Sequence, residues 1–249
     1  MEQEIQDRLI KPEFLIRTGS SMYGYALPES DEDFRGFCTV PYPYLLGRKR
    51  FDQHIRDKDE DIVIYSLPKF FTLLENGTPN ILEMLYCDDK NIIECGPLAR
   101  KIIENRHLFL ANEKVIKAIV GFSTSEYQKV IHPERGEKGP KRQELIAKHG
   151  YDIKSMSHAI RLLHQGYELL KYGEITYPLS ISDYLLQLRT GEFSLIEASF
   201  FYEAKLSQLR LIEQTPHHFF TDKVSKDKLD MLYYFLIEHD IKQFKDRSL

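Results

Sequence analysis

The chain has 249 residues and a formal net charge of -4, with 42% hydrophobic and 12% aromatic residues. This content is enough to bury the core of one large domain or two smaller ones. The weakly acidic balance excludes a surface coated in basic charge, so nucleic acid would bind only at a local basic patch. The three cysteines form no C-x-x-C pair and indicate neither a zinc site nor a disulfide framework. No apolar stretch is long enough to span a bilayer, and the charged N-terminal segment does not resemble a signal peptide, so we expect a cytoplasmic protein without membrane contact.

The first part of the chain mixes strands and helices. Strands are predicted where β-branched and aromatic residues cluster, in "FLIRTGS" (14–20), "DFRGFCTV" (33–40) and "DIVIYSL" (61–67). The proline- and charge-rich segment between the second and third strands is predicted to be a loop. Two short helices follow, each with a proline in its first turn: "PKFFTLLENG" (68–77) and "TPNILEMLY" (78–86).

The second part is predicted to be almost entirely helical. Helices are expected at 112–131, 141–172, from a capping box at "SLIE" (194–197), and at 225–244. The second of these carries an apolar stripe at steps of three and four residues, typical of a core-facing helix: Ile153, Met156, Ile160, Leu163, Tyr167 and Leu170. We therefore predict a small α/β domain (1–110) followed by a helical domain (111–249).

The segment "GSSMYGYALPESDEDFRG" (19–36) carries acids at the mouth of a predicted strand. Alternate residues of a strand point to the same face, so Asp31 and Asp33 would lie together. Two like charges at that distance are costly unless a divalent cation lies between them. Carboxylate oxygens suit Mg²⁺ or Mn²⁺.

These acids allow three other interpretations. An EF-hand register fails, because Arg35 and Tyr42 stand at two positions that should supply calcium ligands. A phosphatase nucleophile usually follows a buried apolar strand, whereas "LPES" precedes these acids. A solvated turn stays open on the acids alone, because D-x-D is a weak motif.

The upstream "TGSSMYG" favours a functional site. A strand that ends in Gly-Ser and opens a helix leaves free backbone N–H groups that face a phosphate placed there. Gly19 allows close approach of the backbone, and the hydroxyls of Ser20 and Ser21 add donors. A phosphate cradle beside a metal-binding acid pair is typical of phosphoryl or nucleotidyl transfer.

These motifs resemble those of the DNA polymerase β-type nucleotidyltransferase superfamily. The string "GSSMYGYALPESDEDFRGF" is similar to a narrower branch, the predicted nucleotidyltransferases found beside RNA ligases in RNA-repair operons and phages. "DIVIYSLPKFFTLLENGTPNILEMLY" and "KHGYDIKSMSHAIRLLHQGYELLKYGEITYPL" resemble later blocks of that branch. The resemblance implies an α+β fold, in which a polymerase-β-like core of a short mixed sheet with helices precedes a helical domain.

The resemblance also implies roles for individual residues. Gly19 and Ser20, with Ser21 and Tyr23 in the same segment, would bind the nucleotide. Asp31, Asp33 and a third strand acid would be catalytic and would hold two Mg²⁺ or Mn²⁺ ions. The candidates for the third acid are Asp57, Asp59, Glu60 and Asp61.

Asp61 is chosen because it begins the strand and shares the face of Val63 and Tyr65. Glu32, which replaces an apolar residue of the superfamily pattern, should face away from the metals.

Several basic residues are further candidates. Arg35 lies two residues past Asp33 and would either contact a phosphate or form a structural salt bridge with Asp31 or Glu32. Lys148 and His149 open the predicted long helix within a block that resembles the family, and we expect them to bind substrate. The strip that follows on the polar side of that helix would receive a triphosphate or RNA, or be ordinary solvated charge: Lys154, His158 and Arg161.

The expected activity is transfer of NMP from an NTP, ATP included, to a hydroxyl with release of pyrophosphate. The expected acceptor is an RNA 3′ end, tRNA included, and we expect a functional association with an RNA ligase. The alternatives are transfer to a protein side chain or a small molecule, or a nucleotide-binding regulator without turnover.

Overall fold

The computed structural model describes residues 11–40, 52–56, 60–110, 113–134, 139–215 and 226–247. Within them, five strands form one sheet in the order β3-β4-β2-β1-β5. The strands are Phe14–Thr18 (β1), Glu32–Cys38 (β2), Asp52–Arg56 (β3), Glu60–Ser66 (β4) and Ile92–Cys95 (β5). β2 and β4 run parallel and the other neighbours run antiparallel, so the sheet is mixed, as predicted.

Helices connect and cover the strands, and most of them lie in the second part of the chain. In the first part they are Gly19–Tyr23 (α1), Leu67–Glu75 (α2), Pro79–Leu82 (α3), Pro97–Glu104 (α4) and His107–Leu110 (α5). In the second part they are Glu113–Ile131 (α6), Pro140–His149 (α7), Ile153–Tyr172 (α8), Ser182–Thr190 (α9), Leu195–Glu213 (α10) and Lys226–Arg247 (α11). Two 3₁₀ turns, Glu83–Tyr86 and Asp89–Asn91, precede β5.

The pairing of β1, β2 and β4 decides which side chains share a face of the sheet. Thr18 is paired with Asp33, and Asp33 with Asp61, so these three side chains lie on one face. Further along that face, Phe14 and Phe37 pack into the main core with helix α2. The opposite face is covered by a small separate apolar cluster: Leu15, Phe34, Cys38, Val40, Ile62 and Ile64.

One buried cluster extends through both parts of the chain, from Phe14 in β1 to Leu236 in α11. Helix α8 lies within it and packs against α6 and α10. The predicted apolar stripe of α8 is buried apart from the half-buried Tyr167. The division of the chain near residue 110 stays a prediction, because the two parts share this core.

Two predictions about the chain path were wrong. The segment between β2 and β4 was predicted to be a loop, but it contains β3, which pairs antiparallel with β4. The helix predicted for 141–172 is two helices, because Gly150 has a φ of 81° and ends α7. Helix α8 begins after Asp152, whose side chain accepts a hydrogen bond from the Ser155 backbone N–H at 3.0 Å. Lys148 and His149 therefore lie in the last turn of α7 and do not open a long helix.

Candidate active site

The Gly-Ser cradle is built where β1 ends and α1 begins. Gly19 has a φ of 75°, a conformation that favours glycine. A Cβ atom added at Gly19 would overlap Oδ2 of Asp33. The Asp33 carboxylate therefore lies directly against the cradle backbone, and only glycine leaves room for it.

Gly19→Ala is expected to destabilise the fold by about 1–3 kcal/mol, from the positive φ and the overlap with Asp33. Because the carboxylate must move, the activity that the sequence leads us to expect should fall at least about tenfold. Thermal unfolding and single-turnover assays measure both effects. The matched control is Gly121→Ala in helix α6, where a Cβ meets nothing within 4 Å, so the control should be neutral or stabilising. Equal behaviour of the two variants would contradict this account of the cradle.

Three aspartates lie near one another at this end of the sheet. Burial raises the pKa of Asp33, and the nearby carboxylates of Asp61 and Asp31 raise it further, while Arg35 opposes them. Asp61 is also the register partner of Asp33. The structure thus brings together the two predicted acids and the chosen third one, whose roles stay predictions.

The remaining acids of this region lie elsewhere. Glu32 is on the opposite face of β2, where Oε1 lies 3.7 Å from Nε of Arg17. Glu60 is the register partner of Glu32, so it shares that opposite face. Asp57 and Asp59 lie outside the described residues. Among the residues that are described, no group of three or more His, Cys, Asp or Glu side chains is already arranged around a metal position.

The raised pKa of Asp33 predicts a stability cost at neutral pH. The pKa of this carboxyl group is higher in the folded chain than its value of 3.8 in the unfolded chain. The group therefore stabilises the fold at a pH below 3.8, and this stabilisation is lost as pH rises through the pKa of the folded state. In EDTA, Asp33→Asn should therefore melt at a higher temperature than the native chain at pH 7. The difference should shrink as pH falls toward 3.8. Melting curves between those values test this, and an Asn variant less stable at pH 7 would contradict it.

A cavity of about 900 Å³ opens beside the cradle and the acids. The predicted site residues that line it are Gly19, Ser20, Tyr23, Asp31, Asp33, Arg35, Lys148 and His149. Ser21 is exposed and Asp61 is half-buried, and neither lines the cavity. One wall is thus the end of the sheet with α1, and the other comes from helices α7, α8 and α9.

The helical wall carries most of the positive charge. Lys148 and His149 reach it from the end of α7, and the His149 ring fits against Gly191, where a Cβ would overlap it. Lys154 and His158 line the cavity one turn apart on α8. Burial, followed by nearby Arg161 and Arg35, holds the pKa of His158 well below its usual value. His158 is therefore neutral at physiological pH.

A buried polar network lies under the cradle. The Tyr23 hydroxyl donates to Oε1 of Glu83 at 2.7 Å, and Arg161 Nη1 donates to Oε2 of Glu83, also at 2.7 Å. Gln165 Nε2 donates to the same Oε2 at 3.0 Å, and Thr18 Oγ1 donates to Oε1 at 3.4 Å. The guanidinium of Arg161 lies 4.2 Å from the centre of the Tyr23 ring. The network ties α1 to α8, and it commits the Tyr23 hydroxyl to Glu83.

Sequence reasoning missed Glu83 and Arg189 and placed Arg161 wrongly. Glu83 stands in the quoted block "TPNILEMLY", but its burial depends on Arg161, 78 residues further on. Arg161 was expected on a polar strip and is 3% exposed instead. Arg189 lines the cavity from the last turn of α9, where a basic residue is ordinary, so the sequence carried no distinguishing signal.

A mixed sheet that sets a Gly-Ser turn against paired aspartates, beneath a helical wall, defines a polymerase-β-type nucleotidyltransferase core. The model of one family, RlaP, described as the RNA repair pathway DNA polymerase beta family, matches residues 2–230. The chain belongs to this family. A comparison with curated proteins found no match. In the described part of the chain, no helix is both long and apolar enough to cross a membrane.

The acids fit the divalent metals that such enzymes generally use. They offer hard oxygen donors, and Asp33 is crowded by two like charges whose repulsion a cation would relieve. Gly19 and Ser20 line the cavity beside these acids, so a phosphate in the cavity would lie next to the cradle backbone.

Proposed function

We propose that this protein is a metal-dependent nucleotidyltransferase that moves NMP from an NTP to the 3′ hydroxyl of an RNA. The observation that carries the proposal is the contact between the Gly19 backbone and the Asp33 carboxylate at the edge of the cavity. A phosphate bound by the cradle would lie directly beside the acids. Membership of an RNA repair polymerase β family supports the same activity.

The reaction forms one bond and breaks one. The acceptor hydroxyl oxygen bonds to the α-phosphorus of the NTP, and the bond from that phosphorus to the pyrophosphate oxygen breaks. Pyrophosphate leaves with the electron pair, and the hydroxyl proton passes to a carboxylate, for which Asp61 is our choice, or to water.

The residues of the sheet end have distinct tasks in this proposal. Asp31 and Asp33 would hold two Mg²⁺ or Mn²⁺ ions, with Asp61 sharing one of them. When bound, the ions would neutralise phosphate charge and favour loss of the acceptor proton. The backbone N–H groups of Gly19 and Ser20 would orient the nucleotide phosphates. Arg35, on the same face of β2 as Asp33, would offset the negative charge.

RNA is the proposed acceptor for two reasons. The family description places its members in RNA repair. The helical wall also presents basic side chains to the cavity, among them Lys148 at the end of α7, and a localised basic surface suits a phosphate backbone on a chain whose net charge is negative.

The decisive experiment incubates the chain with Mg²⁺ or Mn²⁺ and each labelled NTP in turn, with pooled RNA that includes tRNA. The matched control is the same RNA after periodate oxidation, which destroys the 3′-terminal diol. Label that enters intact RNA, needs the metal, and is absent from oxidised RNA supports the proposal. Label on protein or on a small molecule would indicate transfer to that acceptor instead. Metal-dependent NTP binding without any transfer would indicate a nucleotide-binding regulator.

A further inference from the structure

We propose that Lys154 and Arg189 form a phosphate-binding subsite on the helical wall, which holds the β- and γ-phosphates of the NTP. This subsite rests on the proposed function, since it presumes an NTP whose α-phosphate lies at the aspartates. It adds two binding residues from the second part of the chain to those of the Gly-Ser cradle.

Arg189 carries a donor that no described residue satisfies, although the carboxylate of Glu29 lies close enough to interact with its charge. It lines the cavity from α9, and its Nε atom is buried with no hydrogen-bond partner among the described residues. Burying a guanidinium donor without a hydrogen-bond acceptor costs free energy of folding. An anion in the cavity would supply that acceptor, and the planar guanidinium suits two phosphate oxygens at once.

Lys154 is the second cation of the proposed subsite. It lines the cavity from the first turn of α8 and forms no ion pair within the described ranges. Partial burial lowers its pKa, and the charge of neighbouring Arg189 lowers it further, while Asp31 and Asp33 act in the opposite direction. Lys154 is therefore close enough to Arg189 and to the acid pair to interact with the charges of both.

The other arginines of this wall are already neutralised. Arg142 Nε lies 2.7 Å from Oδ2 of Asp152. Arg161 Nη1 lies 2.7 Å from Oε2 of Glu83. Both charges are compensated within the protein. Lys148, Lys154 and Arg189 form no ion pair within the described residues, and of these three only Arg189 has a buried donor without an acceptor.

A polyphosphate fits this arrangement better than an RNA backbone. Lys154 and Arg189 line the same cavity as Asp31 and Asp33. A triphosphate whose α-phosphate lies at the acids carries its further negative charges on the two phosphates that follow directly, so both can reach cations of this cavity. The phosphates of an RNA strand are separated by sugars and need not converge on two adjacent cations.

The test measures the affinity of the full chain in Mg²⁺ for a non-hydrolysable NTP, for NMP and for inorganic tripolyphosphate. Lys154→Gln and Arg189→Gln should each weaken NTP and tripolyphosphate binding by about 10-fold or more, as expected for loss of a charge-assisted contact. NMP binding should change by less than about threefold, since NMP lacks the β- and γ-phosphates. Arg210→Gln and Lys228→Gln, at exposed positions outside the cavity, are matched controls that should change nothing.

Each result separates this subsite from the proposed function. Equal weakening of NTP and NMP binding, unchanged NTP binding, or weaker binding of RNA alone would overturn the subsite. Nucleotide transfer with an unchanged KM for NTP in both variants would overturn the subsite and leave the function standing. Polyphosphate binding that depends on Lys154 and Arg189, in a chain that transfers no nucleotide, would leave the subsite standing and remove the function. If the native chain binds neither NTP nor tripolyphosphate, both are wrong.

Discussion

Asp33→Asn is expected to reduce nucleotidyl transfer by at least about 10²–10³-fold, the loss typical when a group that stabilises transition-state charge is removed. Asp33 is the residue that the cradle, the register partner Asp61 and the neighbouring Asp31 all surround. Asparagine keeps its shape and removes its charge, so the amide would weaken metal binding without opening a void. Single-turnover transfer at saturating Mg²⁺ measures the effect, and Asp31→Asn should behave alike.

The matched control is Glu32→Gln. Glu32 lies between the two aspartates in sequence, but its side chain is on the other face of β2, near Arg17. The control removes the same charge from the same strand and should leave the rate within about twofold, as for an exposed ion pair. A rise in melting temperature on addition of Mg²⁺ should occur in Glu32→Gln and be lost in Asp33→Asn. Equal losses in the two variants would mean that net charge, and not a metal site, explains the result.

The third carboxylate has its own comparison. Asp61→Asn is expected to impair transfer as severely as Asp33→Asn, because Asp61 is the register partner of Asp33. Activity that survives in Asp61→Asn but disappears in Asp59→Asn would show that the wrong acid was chosen.

Breaking the buried ion pair between Arg161 and Glu83 should have the largest effect on stability. Both side chains are nearly inaccessible, at 3% and 1%. Arg161→Met leaves the Glu83 carboxylate buried beneath the cradle without its cation, which costs about 3–5 kcal/mol. For a chain of this size, that loss lowers the melting temperature by about 10 °C. Thermal or denaturant unfolding measures it.

Two further variants separate the pair from general surface charge. Lys242→Gln removes one partner of an ion pair at 2.8 Å whose side chains are 70% and 67% exposed, and should cost less than about 1 kcal/mol. The double variant Glu83→Gln with Arg161→Met should lose less than the sum of the single losses, because no buried charge is left uncompensated. Single losses comparable to that of Lys242→Gln would contradict a structural role for the pair.

The sequence was a good guide to elements that local rules determine. β1, β2 and β4 were predicted from clusters of β-branched and aromatic residues, and the capping box of α10 from Ser194 and Glu197, whose reciprocal hydrogen bonds are both formed. β3 was missed because its residues are polar and it is a strand only through pairing with β4. The break between α7 and α8 was missed because an isolated glycine is tolerated within a helical pattern, whereas the positive φ of Gly150 ends α7.

The site was predictable to the extent that it is local in sequence. The alternation of β2 places Asp33 and Arg35 on one face and Glu32 on the other, as expected. The partners of Tyr23 and Arg161 were not predictable, because both converge on Glu83 through folding. Arg189 had no local signal in the sequence, because it can be recognised as a site residue only from the cavity that the folded chain forms.

Helix α8 turns one side toward the cavity, with Lys154 and His158, and another into the shared core, with Met156 and Ile160. A nucleotide that binds this helix therefore binds the same element that holds the two parts of the chain together. Because a ligand that prefers the native state raises its stability by mass action, each NTP should protect the whole chain from heat by an amount that increases with the logarithm of its affinity. Ranking the four nucleotides by thermal shift would therefore reveal the base preference before any acceptor is known.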